Sequence, residues 1–153
     1  MRLATVFAAV ALSCPVFAAD SFYLGRWKIT SALVAPWADT ARKPDDAESK
    51  MLAGKTVTIG AAGIAGPRQV ACKEPRYRLR DDGADMLFQG AFDEMRRRDP
   101  SVDPLKMAAK LGFRGSSWKT LETGCEDEIE FHFVDATTAE FGLNDYVYVL
   151  KKQ

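Results

Sequence analysis

The sequence predicts a mainly β domain with a helical insertion, an antiparallel meander or barrel of about seven or eight strands. Near both ends of the chain, apolar and polar residues alternate with a period of two, which is typical of strands with one buried face. Short turn sequences separate the C-terminal strands, which favours antiparallel neighbours. Only residues 81–115 change to a spacing of three or four, which indicates helix.

Composition favours one folded domain. The chain has 153 residues, of which 47% are hydrophobic and 10% aromatic, so it can bury a core and is not expected to be disordered. The 21 basic and 21 acidic residues balance. A chain without net charge has no overall field to attract nucleic acid, so nucleic acid is not expected among its partners.

The N-terminus has the pattern of a secretory signal peptide. Arg2 precedes an uncharged apolar run over residues 3–12, and small residues at the predicted cleavage site end with Ala18. The apolar run is too short to span a bilayer. We therefore predict a signal peptide over residues 1–18, one β-rich domain over 19–153, a periplasmic or secreted location, and no transmembrane span after cleavage. Lipid attachment at Cys14 is an open alternative.

The N-terminal half of the mature chain contains four predicted strands. Trp27 and Ile29 share a face of the first strand, and Val57 and Ile59 share a face of the second. Residues 36–50, with Pro44 and several small residues, predict a long loop or a marginal helical turn. The predicted strands are residues 23–34, residues 55–60, a return strand with Ile64 and Val70 that leads to Cys72, and residues 77–80.

The helical excursion over residues 81–115 contains two predicted helices. The first carries apolar residues at helical spacing, and the second has Asp103 as its N-cap, Pro104 at its first position and Gly112 at its end. An insertion of this length is a stabilising cover or a contact element, and we expect a cover. The apolar residues of the first helix are Leu87, Phe88, Ala91, Phe92 and Met95.

Four predicted strands follow, over residues 118–123, 128–134, 137–143 and 146–150. Turn-forming residues such as Gly124 and Asn144 separate them. His132 lies on the opposite strand face from Phe131 and Phe133, where we expect it to be exposed or hydrogen-bonded.

Two cysteines, Cys72 and Cys125, remain after signal cleavage. In an oxidising compartment two thiols most simply form a disulfide, which we predict here. A reactive cysteine that works with His132 is the alternative.

Residues 23–29 carry the clearest motif. Tyr23, Gly25 and Trp27 resemble the opening signature of the lipocalins, in which Gly-x-Trp begins the first strand of a ligand-holding barrel. The same spacing with Gly66 and Cys72 is similar to small bacterial envelope domains of the META type. The resemblance implies a calycin-like envelope barrel in which Trp27 closes one end and Gly25 lets the strand bend. It also implies a small-molecule ligand.

Arginines alternate at Arg76, Arg78 and Arg80, and this arginine strip could hold an anionic ligand or an acidic partner. A second basic cluster, residues 96–98, ends the first predicted helix. With aromatic residues that could line a site, the predicted ligand-binding residues are Trp37, Arg76, Tyr77, Arg78 and Tyr148.

No acid, base and nucleophile stand together in a recognisable pattern, so we predict no catalytic residue and no cofactor. A single histidine without a spare cysteine does not predict a metal site. The sequence therefore predicts an exported, non-catalytic binding protein that holds a small molecule in a β-barrel. The alternative is a protein-binding inhibitor or immunity-type module that contacts another envelope protein through a basic surface.

Overall fold

The computed structural model describes residues 21–127 and 129–153. The predicted signal peptide and Cys14 lie outside the described residues. The described part of the chain forms a mainly β fold with nine antiparallel strands and three short α-helices. Among its helices, none combines the length and the apolar character that crossing a bilayer requires.

The elements follow one another as a meander with one helical interruption. The strands are β1 (Gly25–Val34), β2 (Thr56–Gly60), β3 (Gly63–Ala65), β4 (Cys72–Lys73), β5 (Arg78–Asp82), β6 (Trp118–Glu122), β7 (Glu130–Asp135), β8 (Thr138–Leu143) and β9 (Tyr146–Lys152). The helices are α1 (Asp46–Leu52), α2 (Leu87–Arg98) and α3 (Pro104–Lys110), and a single 3-10 turn, Ala84–Met86, precedes α2.

Nine strands replace the predicted seven or eight because the predicted return strand is broken. After β3 the chain turns at Pro67, where the Val70 N–H donates to the Pro67 carbonyl at 3.0 Å. The chain returns to the sheet only at Cys72, as the short strand β4. Val70 is buried in the core from this turn rather than from a strand.

The segment predicted as a long loop or a marginal helical turn contains α1. Asp45 caps this helix, since its side chain accepts a hydrogen bond from the Ala47 N–H at 2.9 Å. Leu52 at the other end is fully buried in the core, and this burial anchors a helix that is too short to be stable alone.

The sheet curls into a half-barrel. Its strand order is β4-β3-β2-β1-β9-β8-β7-β6-β5, so the first and last strands of the chain are neighbours. Trp27 on β1 and Phe133 on β7 have ring centroids 5.6 Å apart, although β9 and β8 lie between their strands. A flat sheet would separate those strands by about 14 Å, so the contact crosses the concave side.

The open side of the half-barrel is the seam between β4 and β5, and a disulfide bridges it. Cys72 on β4 is bonded to Cys125, which follows β6, with the Cα atoms 6.0 Å apart. This confirms the predicted pairing. The Tyr77 hydroxyl also reaches across, donating to the Gly60 carbonyl at 2.8 Å. Both edges of the sheet are therefore held together without a continuous strand ladder.

Two apolar clusters lie on the two faces of the sheet. The concave face holds the larger one, and the outer face holds a second one that is covered by α2 and α3. The inner cluster contains Trp27, Ile29, Leu52, Val57, Ile59, Ile64, Val70, Leu121, Ile129, Phe131, Phe133, Ala139, Phe141, Tyr146, Tyr148 and Leu150. The outer cluster contains Ala35, Ala84, Leu87, Phe88, Phe92, Ala108, Leu111, Phe113, Trp118 and Val147.

Both predicted helices of the excursion are present, and α3 begins as expected. The Asp103 side chain accepts a hydrogen bond from the Leu105 N–H at 3.0 Å. The first helix differs from its prediction, since Phe88, Gln89 and Gly90 have left-handed φ values of 52°, 53° and 79°. The apolar spacing from Leu87 therefore does not run along one continuous helix.

Candidate functional site

A row of polar side chains crosses the outer face of the sheet. Strand register places Arg80 opposite Thr120, Thr120 opposite His132, and His132 opposite Glu140, on four adjacent strands. We call these four residues the polar row. Thr120, His132 and Glu140 are buried, and Arg80 is partly exposed. An apolar layer covers the outer face of the sheet around them. Buried ionisable groups in register are the feature that most distinguishes this face.

Arg80 is surrounded by carboxylates. Its Nε atom donates to both oxygens of Asp82, at 2.8 and 3.0 Å, and its Nη2 atom donates to Glu130 at 3.0 Å. It also pairs with Glu122, which in turn pairs with the exposed Arg78. Burial raises the pKa of Glu130, and the attraction of Arg80 partly opposes that rise. We call Arg78, Arg80, Asp82, Glu122 and Glu130 the ion-pair cluster.

His132 is fully buried and neutral. Its Nε2 atom accepts a hydrogen bond from the Phe88 N–H at 2.9 Å, so the ring proton resides on Nδ1 and faces the Thr120 hydroxyl oxygen, also at 2.9 Å. Burial lowers the pKa of His132 to about 3, and the nearby positive charge of Arg80 adds to this effect. Both ring nitrogens are therefore used to hold neighbouring elements together.

The left-handed turn at the start of α2 contacts this histidine through Phe88. Left-handed backbone at Phe88 and Gln89 is strained for residues with a side chain, whereas Gly90 adopts it at little cost. The turn directs the Phe88 N–H at His132 and packs the Phe88 ring against the imidazole, with centroids 4.7 Å apart. A buried backbone donor is thereby satisfied by a side chain from the sheet.

Asp82, Glu130 and His132 offer ligand atoms within 4.8 Å of one another, which is the arrangement of a possible metal site. Each ligand atom already has another partner. Arg80 bonds both carboxylates, and the imidazole nitrogen accepts from the Phe88 N–H. The guanidinium therefore supplies the positive charge that a cation would supply, and the group fits a structural ion-pair cluster better than a metal centre.

Glu140 ends the polar row. It is 2% exposed, and its Oε2 atom is the buried side-chain oxygen that lacks a hydrogen-bond partner among the described residues. Burial raises the pKa of Glu140 to about 8, opposed by the attraction of Lys151. The carboxyl is therefore mainly protonated at neutral pH.

An open cleft of about 520 Å³ lies beside the ion-pair cluster and the disulfide. Arg76 and Glu126 are exposed there, and neither forms an ion pair with a described residue. We call this the seam cleft. Its lining residues are Arg76, Gln89, Glu122, Thr123, Gly124, Cys125, Glu126, Ile129 and Glu130.

The predicted ligand-binding residues do not come together. Tyr148 is fully buried on the concave side, where its hydroxyl donates a hydrogen bond to the Glu48 carboxylate at 3.0 Å. Tyr77 spans the seam. Trp37 lies on the opposite face, where its ring packs on Phe88 with centroids 5.1 Å apart. Of the arginine strip, Arg78 and Arg80 belong to the ion-pair cluster, and only Arg76 lines the cleft.

The second basic cluster, residues 96–98, is also matched by acidic neighbours. Arg96 and Arg97 pair with Asp93, and Arg98 pairs with Glu94 at 2.9 Å, all one helical turn away on α2. The charges of these arginines are therefore largely balanced locally, and the surface is less basic than the run of arginines suggests.

Gly25 and Trp27, the residues predicted to close a barrel end, lie at the start of β1. The Trp27 indole donates to the Tyr23 carbonyl at 2.8 Å, and the Lys152 ammonium sits over the ring, 5.4 Å from its centroid. Lys152 also donates to the Phe22 carbonyl. Gly25, the first residue of β1, has a φ of 125°, a conformation that other residues rarely adopt.

Sequence reasoning missed the acidic half of the site. Asp82, Glu122, Glu130 and Glu140 are far apart in sequence, and each reads as an ordinary polar position of a strand. Cross-strand register brings Glu122 and Glu130 to the arginines and Glu140 to His132, and register is a property of the folded sheet.

Comparisons with known protein families, with characterised proteins and with solved structures find no match to this chain.

Proposed function

We propose that this chain is an exported, non-catalytic binding protein that contacts a protein partner through the outside of its half-barrel, around the seam cleft. The observation that carries the proposal is the packing of the concave side. Four large aromatic residues are fully buried there in a single cluster: Trp27, Phe131, Phe141 and Tyr148. Side chains therefore occupy the space that a lipocalin keeps for its ligand. Binding then falls to the outer surface.

The seam cleft is the best-supported contact surface because its walls are held rigid. The disulfide fixes Cys125 on one side, and the ion-pair cluster fixes Glu122 and Glu130 on another. A surface that is ordered before binding loses less conformational entropy when a partner docks. Arg76 and Glu126 have no ion-pair partner within the described part of the chain, and their charges of opposite sign suit a polar protein surface of complementary charge.

The test is capture of the partner from an envelope extract with the purified, disulfide-bonded protein as bait. Reversal of the cleft charge in Arg76→Glu should reduce the captured partner at least about tenfold, since mispaired charges at an interface are costly. Arg26→Glu is the matched control, because Arg26 is also exposed but lies on β1, which does not line the cleft.

Equal capture by wild type, Arg76→Glu and Arg26→Glu would refute the seam cleft as the contact surface. Capture of no protein above the level of an unrelated bait would refute a protein partner altogether.

A small-molecule ligand is the second candidate function. The volume of the seam cleft, about 520 Å³, is within the range of small-molecule sites. Native mass spectrometry of protein from its own envelope tests this candidate. A reproducible added mass that disappears on unfolding supports it, and a bare chain contradicts it.

A further inference from the structure

The C-terminal half of β1 has an unpaired edge. On one of its two edges β1 pairs with β2, but only from Gly25 to Lys28. The Ile29 N–H then donates to the Lys55 carbonyl, and the Ile29 carbonyl accepts from the Gly54 N–H. On its other side β1 continues to pair with β9 as far as Val34. Residues 30–34 are therefore an edge segment within an otherwise internal strand.

Backbone direction shows which groups of this segment point outward. In an antiparallel ladder, alternate residues direct both backbone groups to the same side. The Ala35 N–H bonds the Asp145 carbonyl at 2.8 Å, on the β9 side. Leu33 therefore faces β9, while the N–H and carbonyl groups of Ala32 and Val34 face away from it, and no described residue outside the ladder bonds them.

The side chains of this edge are uncharged, and those of its last three residues, 32–34, are apolar. Leu33 is 39% exposed and Val34 is 58% exposed, and no charged residue occurs between Lys28 and Asp39. Natural sheets usually protect an exposed edge with lysine, proline or a charged side chain that faces inward. An edge without such protection is suited to pairing with another strand.

We propose that residues 30–34 of two copies of this chain pair in an antiparallel, two-fold-symmetric manner, so that the protein self-associates through β1. A two-fold axis at Leu33 places Ala32 of each copy opposite Val34 of the other. All the outward backbone groups of these two residues then bond one another. The segment is self-complementary in this register, which is the argument for a second copy as the occupant.

The side chains agree with this register. The two Leu33 side chains would lie directly opposite each other as a close, non-hydrogen-bonded pair, and each Val34 would lie against Ala32. Because the segment is short, the contact is smaller than a standard stable interface. We therefore expect a dimer that dissociates on dilution rather than a permanent one.

Sedimentation equilibrium of the purified protein should show a weight-average molar mass that rises from that of one chain toward that of two chains as the concentration increases from about 5 to about 500 µM. Leu33→Lys should weaken dimerisation at least about tenfold, since it places like charges directly opposite each other. Leu105→Lys is the control, because Leu105 is 51% exposed on α3, away from the sheet edge. Both positions are at the surface, so melting temperatures should stay close to that of the wild type.

Crosslinking provides a second readout, because a disulfide traps a dimer that forms only briefly. Directly opposed residues of a non-hydrogen-bonded pair have Cα atoms about 4.5 Å apart, which a disulfide can span. Leu33→Cys should therefore give a disulfide-linked dimer on mild oxidation, and Leu105→Cys should give it much more slowly.

A wild-type chain that stays monomeric over the whole range, with Leu33→Cys linking no faster than Leu105→Cys, would overturn the proposal. Dimerisation that Leu33→Lys leaves unchanged would overturn the assignment to β1. Neither result bears on the seam cleft, whose test uses Arg76.

Discussion

Glu140 and His132 are neighbours in the polar row. Burial raises the pKa of Glu140 and lowers the pKa of His132, and both shifts favour the neutral form of the side chain. His132 compensates for its burial with two hydrogen bonds, whereas the Oε2 atom of Glu140 has none from a described residue. The two residues therefore affect stability in opposite pH ranges. Glu140 lowers stability as the pH rises, and His132 lowers it as the pH falls.

Replacement of Glu140 by glutamine should stabilise the protein at alkaline pH. The folded state keeps the Glu140 proton up to about pH 8, whereas an unfolded chain releases it near pH 4.5, so wild-type stability falls between these values. At pH 9 the Glu140→Gln variant should exceed the wild type by about 2 kcal/mol in free energy of unfolding. Urea unfolding at pH 5 and pH 9 measures this.

Glu126→Gln is the control for that experiment, because Glu126 is exposed. A Glu140→Gln variant that is no more stable than the wild type at pH 9, relative to pH 5, contradicts the buried, protonated carboxyl.

Acid sensitivity should depend on His132. An unfolded chain binds a proton at His132 below about pH 6.5, while the folded protein binds it only near pH 3, so stability falls as the pH drops through this range. His132→Gln retains an acceptor for the Phe88 N–H but cannot titrate. Its free energy of unfolding should fall less steeply with acid, by up to about 1.4 kcal/mol per pH unit.

The comparison uses the slope of stability against pH between pH 6.5 and 4, so a general loss of stability in the variant does not affect it. Identical slopes for His132→Gln and wild type would show that His132 is not buried in its neutral form.

At the scale of elements, α2 and α3 serve as the cover of the outer face. Phe92 and Ala108 are fully buried beneath them, while Leu105 points outward with half of its surface exposed. The left-handed turn connects this cover to the sheet through His132. The excursion therefore contributes a layer of the core, as expected for a stabilising cover.

Truncation of Phe92 should destabilise the fold strongly. Phe92→Ala removes a fully buried ring that packs on Phe88 and Trp37, and the expected loss is about 3 to 4 kcal/mol. Leu105→Ala should cost less than about 1 kcal/mol because its side chain is half exposed. Equal losses in the two variants, measured by urea unfolding, would mean that α2 is not a structural layer.

At the scale of the whole molecule, the seam distinguishes this half-barrel from a closed barrel. Each strand pairs with its chain neighbour except β4 with β5, and the disulfide and the Tyr77 hydrogen bond cross that gap. The covalent link joins residues 53 apart in sequence, so it restricts the unfolded chain as well as the native one.

Loss of the disulfide should lower stability by up to about 4 kcal/mol in a Cys72→Ala, Cys125→Ala double variant, according to the loop-closure estimate. The seam should also open more often, so binding of a hydrophobic dye such as ANS should increase. Tyr77→Phe, which removes only the hydroxyl that bonds Gly60, should cost about 1 kcal/mol. A double variant as stable as the wild type would show that the seam does not depend on the covalent link.

The sequence by itself determined the features that depend on local chemistry. Period-two alternation identified the strand segments, Asp103 and Pro104 identified the start of α3, and two cysteines in a chain with a predicted export signal identified the disulfide. These patterns are readable because each depends on residues close together in the chain or, for the cysteines, on a choice with one simple outcome.

Only the tertiary structure decided which side chains meet. Trp37 and Tyr148 are both aromatic, yet the sheet places them on opposite faces. Arg80 meets Glu130 because three strands pair in one register, and a shift by one residue would turn each side chain to the other face. The packing of the concave side has the same origin, since the curl of the sheet, set by its twist and its seam, brings these side chains into one cluster.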